Sequence, residues 1–556
     1  MTAKSLRFVI LCETTEFPAW QADCIKEVVL SGLAVPVGLV LKKGDTREPS
    51  GRWRRRWANR RLVLWRLFCR VYVNVFSKAT RSVDMATFLA GIPQAHDSPT
   101  RVGKHGEKLS QSTIVFIRGL EPHFILRLGF GILKGEVLDC APYGVWSYHH
   151  GDPAAFRGQP PGFWEMYSST PITGSMLQVL GRELDAGTIL HQGFFKTNLH
   201  SYVKTRDAIY FGSSSWVRRT CAAIIENGWR SEASSQRLSS GAVWREPSNT
   251  AMIVYLWRVS RNFCRAQVAY RLFRQKWNCG VIEAPIHVVA GLEGMEKQAE
   301  ALGRVHWMRE CPGNFFADPF GYEIDRDRIR VLFELYEWRR GLGLIASTEF
   351  DGTTFGGIEV VLEAPTHLSY PFIVNDGDEI YFVPEHSAAR NVSAFLLSAA
   401  GLPHQKKTMF GRIELIDPTI LKCGDKYWLF ALEESRSENS DLHLFFSESL
   451  QGDWRAHPLN PVKTDVRSAR PAGTPFVHEG RLFRPAQDCS THYGRATVVN
   501  QVTVMTETEY EENPISEVRP SSGTKYDYGL HTVAAVGNRT LIDGARKELR
   551  FPAMGV

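Results

Sequence analysis

Between residues 6 and 42 the apolar positions first run unbroken and then recur at helical spacing. "LRFVIL" predicts a buried strand, "PAWQADCIKEVVLSG" an amphipathic helix stopped at Gly32, and "AVPVGLVL" a second strand. A strand, a helix and a strand of these lengths predict a parallel α/β sheet of Rossmann-like topology. Its first turn, "CETTEF", lacks GxGxxG, so no dinucleotide is indicated. The pattern resumes with a predicted strand at "STIVFIRG" (112–119), a helix over "HFILRLGFGIL" and a strand near "GVWSY" (144–148).

From about residue 300 helical spacing gives way to a strand pattern that repeats. "FADPFGYEIDRDRIRVLFE", "LSYPFIVNDGDEIYFVPE", "LIDPTILKCGDKYWLFAL" and "GTPFVHEGRLFRPAQD" share one plan: a proline, an apolar pair, a turn of charged or Gly residues, then an aromatic-rich strand. Pro319, Pro371, Pro418 and Pro475 recur at the roughly 50-residue period of a propeller blade. With "LHTVAAVGNRTLIDG" (530–544) as a shorter fifth copy, the expectation is an all-β five-bladed propeller.

Composition changes this picture little. A chain of 556 residues with 22% charged and 44% hydrophobic positions is a multidomain globular protein. The ten cysteines form no CxxC pair, which argues against a zinc site or a disulfide framework and for reduced thiols; no metal is expected. The N-terminal apolar run is too short for a signal-peptide core, and no stretch approaches the roughly 20 apolar residues of a spanning helix. The expected location is the cytoplasm.

The net charge of +7 is unevenly placed. "GRWRRRWANRRLVLWRLFCRVYVNVFSK" (51–78) contains no acidic residue, and Leu64, Phe68, Val71 and Val75 fall at helical spacing. A basic amphipathic helix with tryptophans can lie on an anionic membrane surface, which would make the protein peripheral at a membrane. The plainer reading is a helix packed on its own domain with a solvated arginine face. "YLWRVSRNFCRAQVAYRLFRQKW" (255–277) reads as a connecting helix that packs Leu256, Phe263, Val268 and Leu272 inward. Neither stretch carries a nucleic-acid motif, and nucleic acid is not an expected partner.

Candidate chemistry begins with "SYHHGDPAAFRG" (147–158), just past a predicted parallel strand, where ligands of open α/β sheets collect. Ser147, His149, Arg157-Gly158, Thr173-Gly174 and "LDAGTIL" (184–190) follow one another in an order that resembles the formyltransferases using 10-formyltetrahydrofolate. The resemblance implies a formyltransferase domain. His149 would be the oxyanion donor, Asp185 would manage protons, and 10-formyltetrahydrofolate would be received by the backbone of Arg118, Gly119 and Leu120. Ser147 replaces the family's catalytic asparagine, and a hydroxyl is a shorter donor than an amide.

The repeat region resembles five-bladed glycosidase propellers of the arabinanase and xylosidase type. It is closer to the N-terminal module of glucosamine inositolphosphorylceramide transferases, on "GNFFADPF", "LSYPF", "IDPTI", "RPAGTPF", "RPAQDCSTHYG" and "GLHTV". That resemblance implies an axial saccharide site lined by Asp318, Glu385, Asp417, Arg470, Asp488, Tyr493 and His531. The expected organisation is an α/β domain over 1–250 with a basic insertion at about 51–82, a linker helix over 251–279 and the propeller over 280–556. The functional expectation is formyl transfer to an amine of an amino sugar in glycan or glycolipid metabolism. The alternative is a glycan-binding or glycoside-hydrolysing propeller on a degenerate formyltransferase scaffold.

Overall fold

The computed structural model describes residues 5–43, 60–103, 106–182, 187–229, 243–433 and 439–550. The chain divides into two compact units, Met1–Arg265 and Ala266–Val556.

The first unit is α/β. Its seven-stranded sheet runs in the order Thr188–Lys196, Ile172–Val179, Val145–His149, Phe124–Arg127, Leu6–Cys12, Ala34–Lys42, Gln94–Asp97. The last five are mutually parallel; Ile172–Val179 runs antiparallel to them and pairs antiparallel with Thr188–Lys196. Strand Leu6–Cys12 is apolar from Phe8 onward because that stretch is covered on both sides, while Arg7 is exposed. Phe8 and Ile10 pack with Trp146 and helix Ala19–Leu30, while Val9 and Leu11 pack with Ile114 and Ile117. The helix ends as expected, with Gly32 at a φ of 73° that a side chain would resist.

Residues 112–119 depart from expectation. They form part of helix Gln111–Gly119, and the strand is the following Phe124–Arg127. The Ser110 hydroxyl accepts the Thr113 N–H and caps the helix, a start signal that outweighs the β-branched content of "STIVFI".

The basic stretch enters the described residues at Arg60 and forms helix from Val63 to Phe76, with a π turn over Cys69–Val73. It buries Trp65 and Val73 against Phe163, Tyr202, Met252 and Tyr255. The second basic helix is Asn249–Leu272. It packs through Met252 and Tyr255, whereas Leu256, Phe263, Val268 and Leu272, expected inward, are exposed. From Phe273 the chain is strand, so the expected linker over 251–279 gives up its last residues to the second unit. No helix among the described residues is long and apolar enough to cross a membrane.

The second unit is all-β and propeller-like. Four sheets follow one another: Asn314–Leu362, Ser369–Gly411, Leu415–Thr464 and Phe476–Val518, each a meander of antiparallel strands. The fifth sheet closes the ring with strands from both ends of the unit: Phe273–Ile282 pairs with Arg539–Leu549, flanked by Val305–Trp307 and Val533–Val536. Alternation along Ile329–Glu337 sends Val331, Phe333 and Leu335 into one inter-blade core and Leu332 into the next.

Candidate functional site: an axial carboxylate cluster

The prolines that mark the repeat also mark the site. Asp318, Tyr370 and Asp417 each precede one of them, and each has a positive φ, 52°, 45° and 50°. Strand pairing slips at all three places, between Ala317 and Phe320, Ser369 and Phe372, and Ile416 and Thr419. A non-glycine residue in this region is strained, and the same bulge on the first strand of three successive blades turns three side chains to one place.

Asp318, Glu385, Asp417, Arg470, Tyr493 and His531, all expected at the site, come together with Glu334, Asp543 and Gln487, which were not. Arg470 grips Asp417 with Nε 2.6 Å from Oδ2 and Nη2 3.2 Å from Oδ1. Its Nη1 donates to Asn439 Oδ1 at 2.9 Å, and its guanidinium lies 4.9 Å over the Tyr493 ring. Gln487 Nε2 donates to Asp417 Oδ2 at 3.0 Å, and the Asp417 N–H donates to Glu385 Oε2 at 3.1 Å. Tyr370 presents its hydroxyl instead of a carboxylate, accepting the Gly473 N–H at 2.8 Å.

On the other side His531 stands between two carboxylates. Nδ1 is 2.5 Å from Asp543 Oδ2 and Nε2 is 3.5 Å from Asp318 Oδ1. Its ring stacks on Trp277 at 3.9 Å. Asp543 also accepts the N–H groups of Asp318, His531 and Thr532, and the Thr532 hydroxyl donates to Asp318 at 2.9 Å.

Electrostatics follow from this crowding. Burial pushes the Asp318 carboxyl up to about 6; His531 opposes the shift while Asp417 and Asp543 reinforce it. Burial, then the charges of Asp318 and Glu385, hold Glu334 well above the usual carboxylate range, and burial with Asp417 does the same for Glu385. Burial disfavours charge on His531, but Asp543 and Asp318 outweigh it and raise its pKa. Asp318, His531 and Asp543 present ligand atoms within 4.8 Å of one another, a donor set that suits a cation. An imidazolium at His531 accounts for the same geometry.

Asp488 does not join the cluster. It lies one position along the strand from Gln487, so the pleat turns it away, to Arg495 Nη2 at 2.5 Å and the Ser490 N–H at 2.8 Å. Glu334 and Asp543 had one sequence signal, an acid with apolar neighbours within a predicted strand, in "VLFEL" and "LIDGA".

In the first unit Ser147 and His149 sit two residues apart on strand Val145–His149. Ser147 is not an open donor toward a ligand: it is buried, with Arg127 Nη1 2.6 Å from its oxygen. Burial, then Arg157, lowers the His149 pKa, and its Nε2 has no hydrogen-bond partner. His150 beside it contacts Ser175 at 2.9 Å within a cage of Trp20, Tyr148 and Tyr210, and burial brings its pKa down to about 3. Asp185 lies outside the described residues. Arg118, Gly119 and Leu120 are not beside His149. They end the helix that precedes strand Phe124–Arg127 and so lie at the amino end of the parallel sheet, whereas Ser147 and His149 lie at its carboxyl end.

A model of the family described as glucosamine inositolphosphorylceramide transferase 1, N-terminal, matches residues 305–528, within the second unit. A glucosamine inositolphosphorylceramide transferase 1 of Oryza sativa subsp. japonica is 32% identical over 213 residues, 37% of this chain and 28% of the relative. The Arabidopsis thaliana protein of the same name is 30% identical over 209 residues, 36% of this chain and 27% of the relative. The chain thus spans little more than a quarter of the length of the curated relatives it matches. Among solved structures, a GH43 β-1,3-galactosidase is similar over 37% of this chain and 45% of its own, with a TM-score of 0.30 and 13% identity. These findings overturn formyl transfer as the reading of function, because the matching family and relatives are named for a different transfer.

Proposed function

We propose that this protein takes part in a transferase reaction on a glycan or glycosphingolipid-type substrate, and that the axial cluster of the second unit holds a sugar or inositol ring of that substrate. The observation that carries the reading is the convergence of Asp318, Glu334, Glu385 and Asp417, all within the region that matches the transferase family, with Asp543 from the closing strand. A polyol needs hydrogen-bond donors and acceptors side by side. Ionised carboxylates supply only acceptors, whereas Glu334 and Glu385, held protonated by burial, each add an O–H donor. Trp277, stacked on His531, and Tyr493, under Arg470, border the cluster. Asp318, with its pKa of about 6, takes the role of proton acceptor from a ring hydroxyl. Names of the relatives support glucosamine and inositol phosphate as first probes.

The test is calorimetric titration of the full chain with glucosamine, N-acetylglucosamine, myo-inositol and inositol 1-phosphate. Binding of at least one probe, lost in Asp417→Asn and kept in Asp488→Asn, is expected. Absence of binding to all four, or binding indifferent to Asp417→Asn, sinks the reading.

A further inference from the structure

The outer face of the helix over Val63–Phe76 is both apolar and bordered by basic residues. Its inner face is spent on the cluster around Trp65, Phe163 and Tyr255. Outward stand Val63, Leu67, Val71 and Val75, one every fourth residue, with Phe76 beside the last; all five are between 50% and 60% exposed. On an α-helix a four-residue spacing advances by about 40° per step, so such a row would wind away around the helix. The π turn at Cys69–Val73 underwinds the helix and holds the row closer to one line.

Arg60, Arg61, Arg66, Arg70 and Lys78 flank this row, and residues 60–78 contain no acid. Among the described residues, Arg66 and Arg70 have no carboxylate within ion-pair distance. Helix Asn249–Leu272, which shares the inner cluster through Met252 and Tyr255, continues the pattern. It too has no acid, and it exposes Ile253 and Trp257, with Arg261 lying 5.1 Å over the Trp257 ring.

We propose that the outer faces of these two helices dock on an anionic lipid bilayer. Charge complementarity carries the choice of occupant. The exposed guanidinium groups of Arg66 and Arg70, bordering a strip of exposed aliphatic and tryptophan side chains, match a surface whose outer layer is anionic and whose inner layer is hydrocarbon. Arginine stems reach over the strip to place their heads among phosphates while Leu67, Val71 and Trp257 enter the acyl boundary. The proposal uses no residue of the axial cluster and goes beyond the sugar-binding reading.

The experiment is flotation of the full chain with extruded vesicles of phosphatidylcholine alone or with about 30% phosphatidylserine, at about 0.1 M and about 0.5 M salt. Binding to the anionic vesicles only, weakened by salt, is expected. Arg66→Ala with Arg70→Ala should lower partitioning roughly 25-fold, near fivefold for each charge. Leu67→Ser with Val71→Ser should abolish what binding persists at high salt. Both pairs are exposed, and unchanged circular dichroism verifies their fold. Asp417→Asn, which removes sugar binding, should float like wild type, so the two readings fail separately. No flotation, equal flotation of the arginine pair and wild type, concentration-dependent dimerisation abolished by Leu67→Ser, or preferential binding of single-stranded RNA over vesicles would each overturn the proposal.

Discussion

Replacing Arg470 with methionine tests how far the Arg470–Asp417 pair holds its side of the axial cluster. Arg470 and Asp417 have side chains only 14% and 3% exposed, so their pairing is little screened by water. Methionine keeps most of the volume and removes four polar contacts: two to Asp417, one to Asn439 and one to Tyr493. Asp417 would keep Gln487 Nε2 as a donor, but its charge would sit uncompensated beside Glu385. Breaking a buried pair by removing one partner costs about 3–5 kcal/mol. For a unit of this size that is a fall in melting temperature of about 6–10 °C near pH 7. Scanning calorimetry of the full chain reads it on the transition of the second unit. Combining Arg470→Met with Asp417→Asn removes both charges and should recover most of the loss. A single variant within about 1 kcal/mol of wild type would refute the reasoning, as would a double variant no more stable than the single.

Asp318 binds its proton more tightly folded, with a pKa of about 6 against a usual 3.8, so its contribution to stability is full below about pH 4 and is lost as pH rises to about 6. Melting curves over that window should show the decline in wild type and a flatter course in Asp318→Asn. Gly473→Ala should fail to give a native second unit by circular dichroism, because at φ 123° its Cβ would lie 1.9 Å from the Val533 carbonyl oxygen, where the fourth blade bridges to the closing one. Asp488→Asn should cost about 1–3 kcal/mol through its contact with Arg495, read by the same calorimetry. His150 should stay neutral by NMR titration down to about pH 4, since burial holds its pKa at about 3.

What the sequence makes legible is what repeats or what is doubly constrained. The Asp-Pro and Tyr-Pro steps recur at blade spacing, and each marks a bulge that aims a side chain inward, so Asp318 and Asp417 were readable. Gln487 and Asp488 show the limit: adjacent residues on a strand face opposite sides, and the resemblance, which implied Asp488, pointed to the wrong one of the two. The segment 112–127 shows another. "STIVFIRG" and "FILR" are both short apolar runs, and only the Ser110 cap separates helix from strand; exchanging the two moved the proposed Arg118–Leu120 site to the far end of the sheet. The basic helices were misread for a related reason. Periodicity identifies a helix and its apolar residues but not whether anything covers them, so Leu256, Phe263, Val268 and Leu272 looked like core. The formyltransferase resemblance failed at the level of function because it rested on the order of residues along a loop, whereas chemistry requires open donors facing a ligand. Ser147 meets the first condition and not the second: a donor already aimed at its oxygen, Arg127 Nη1 at 2.6 Å, is a tertiary contact from a neighbouring strand that no local motif encodes.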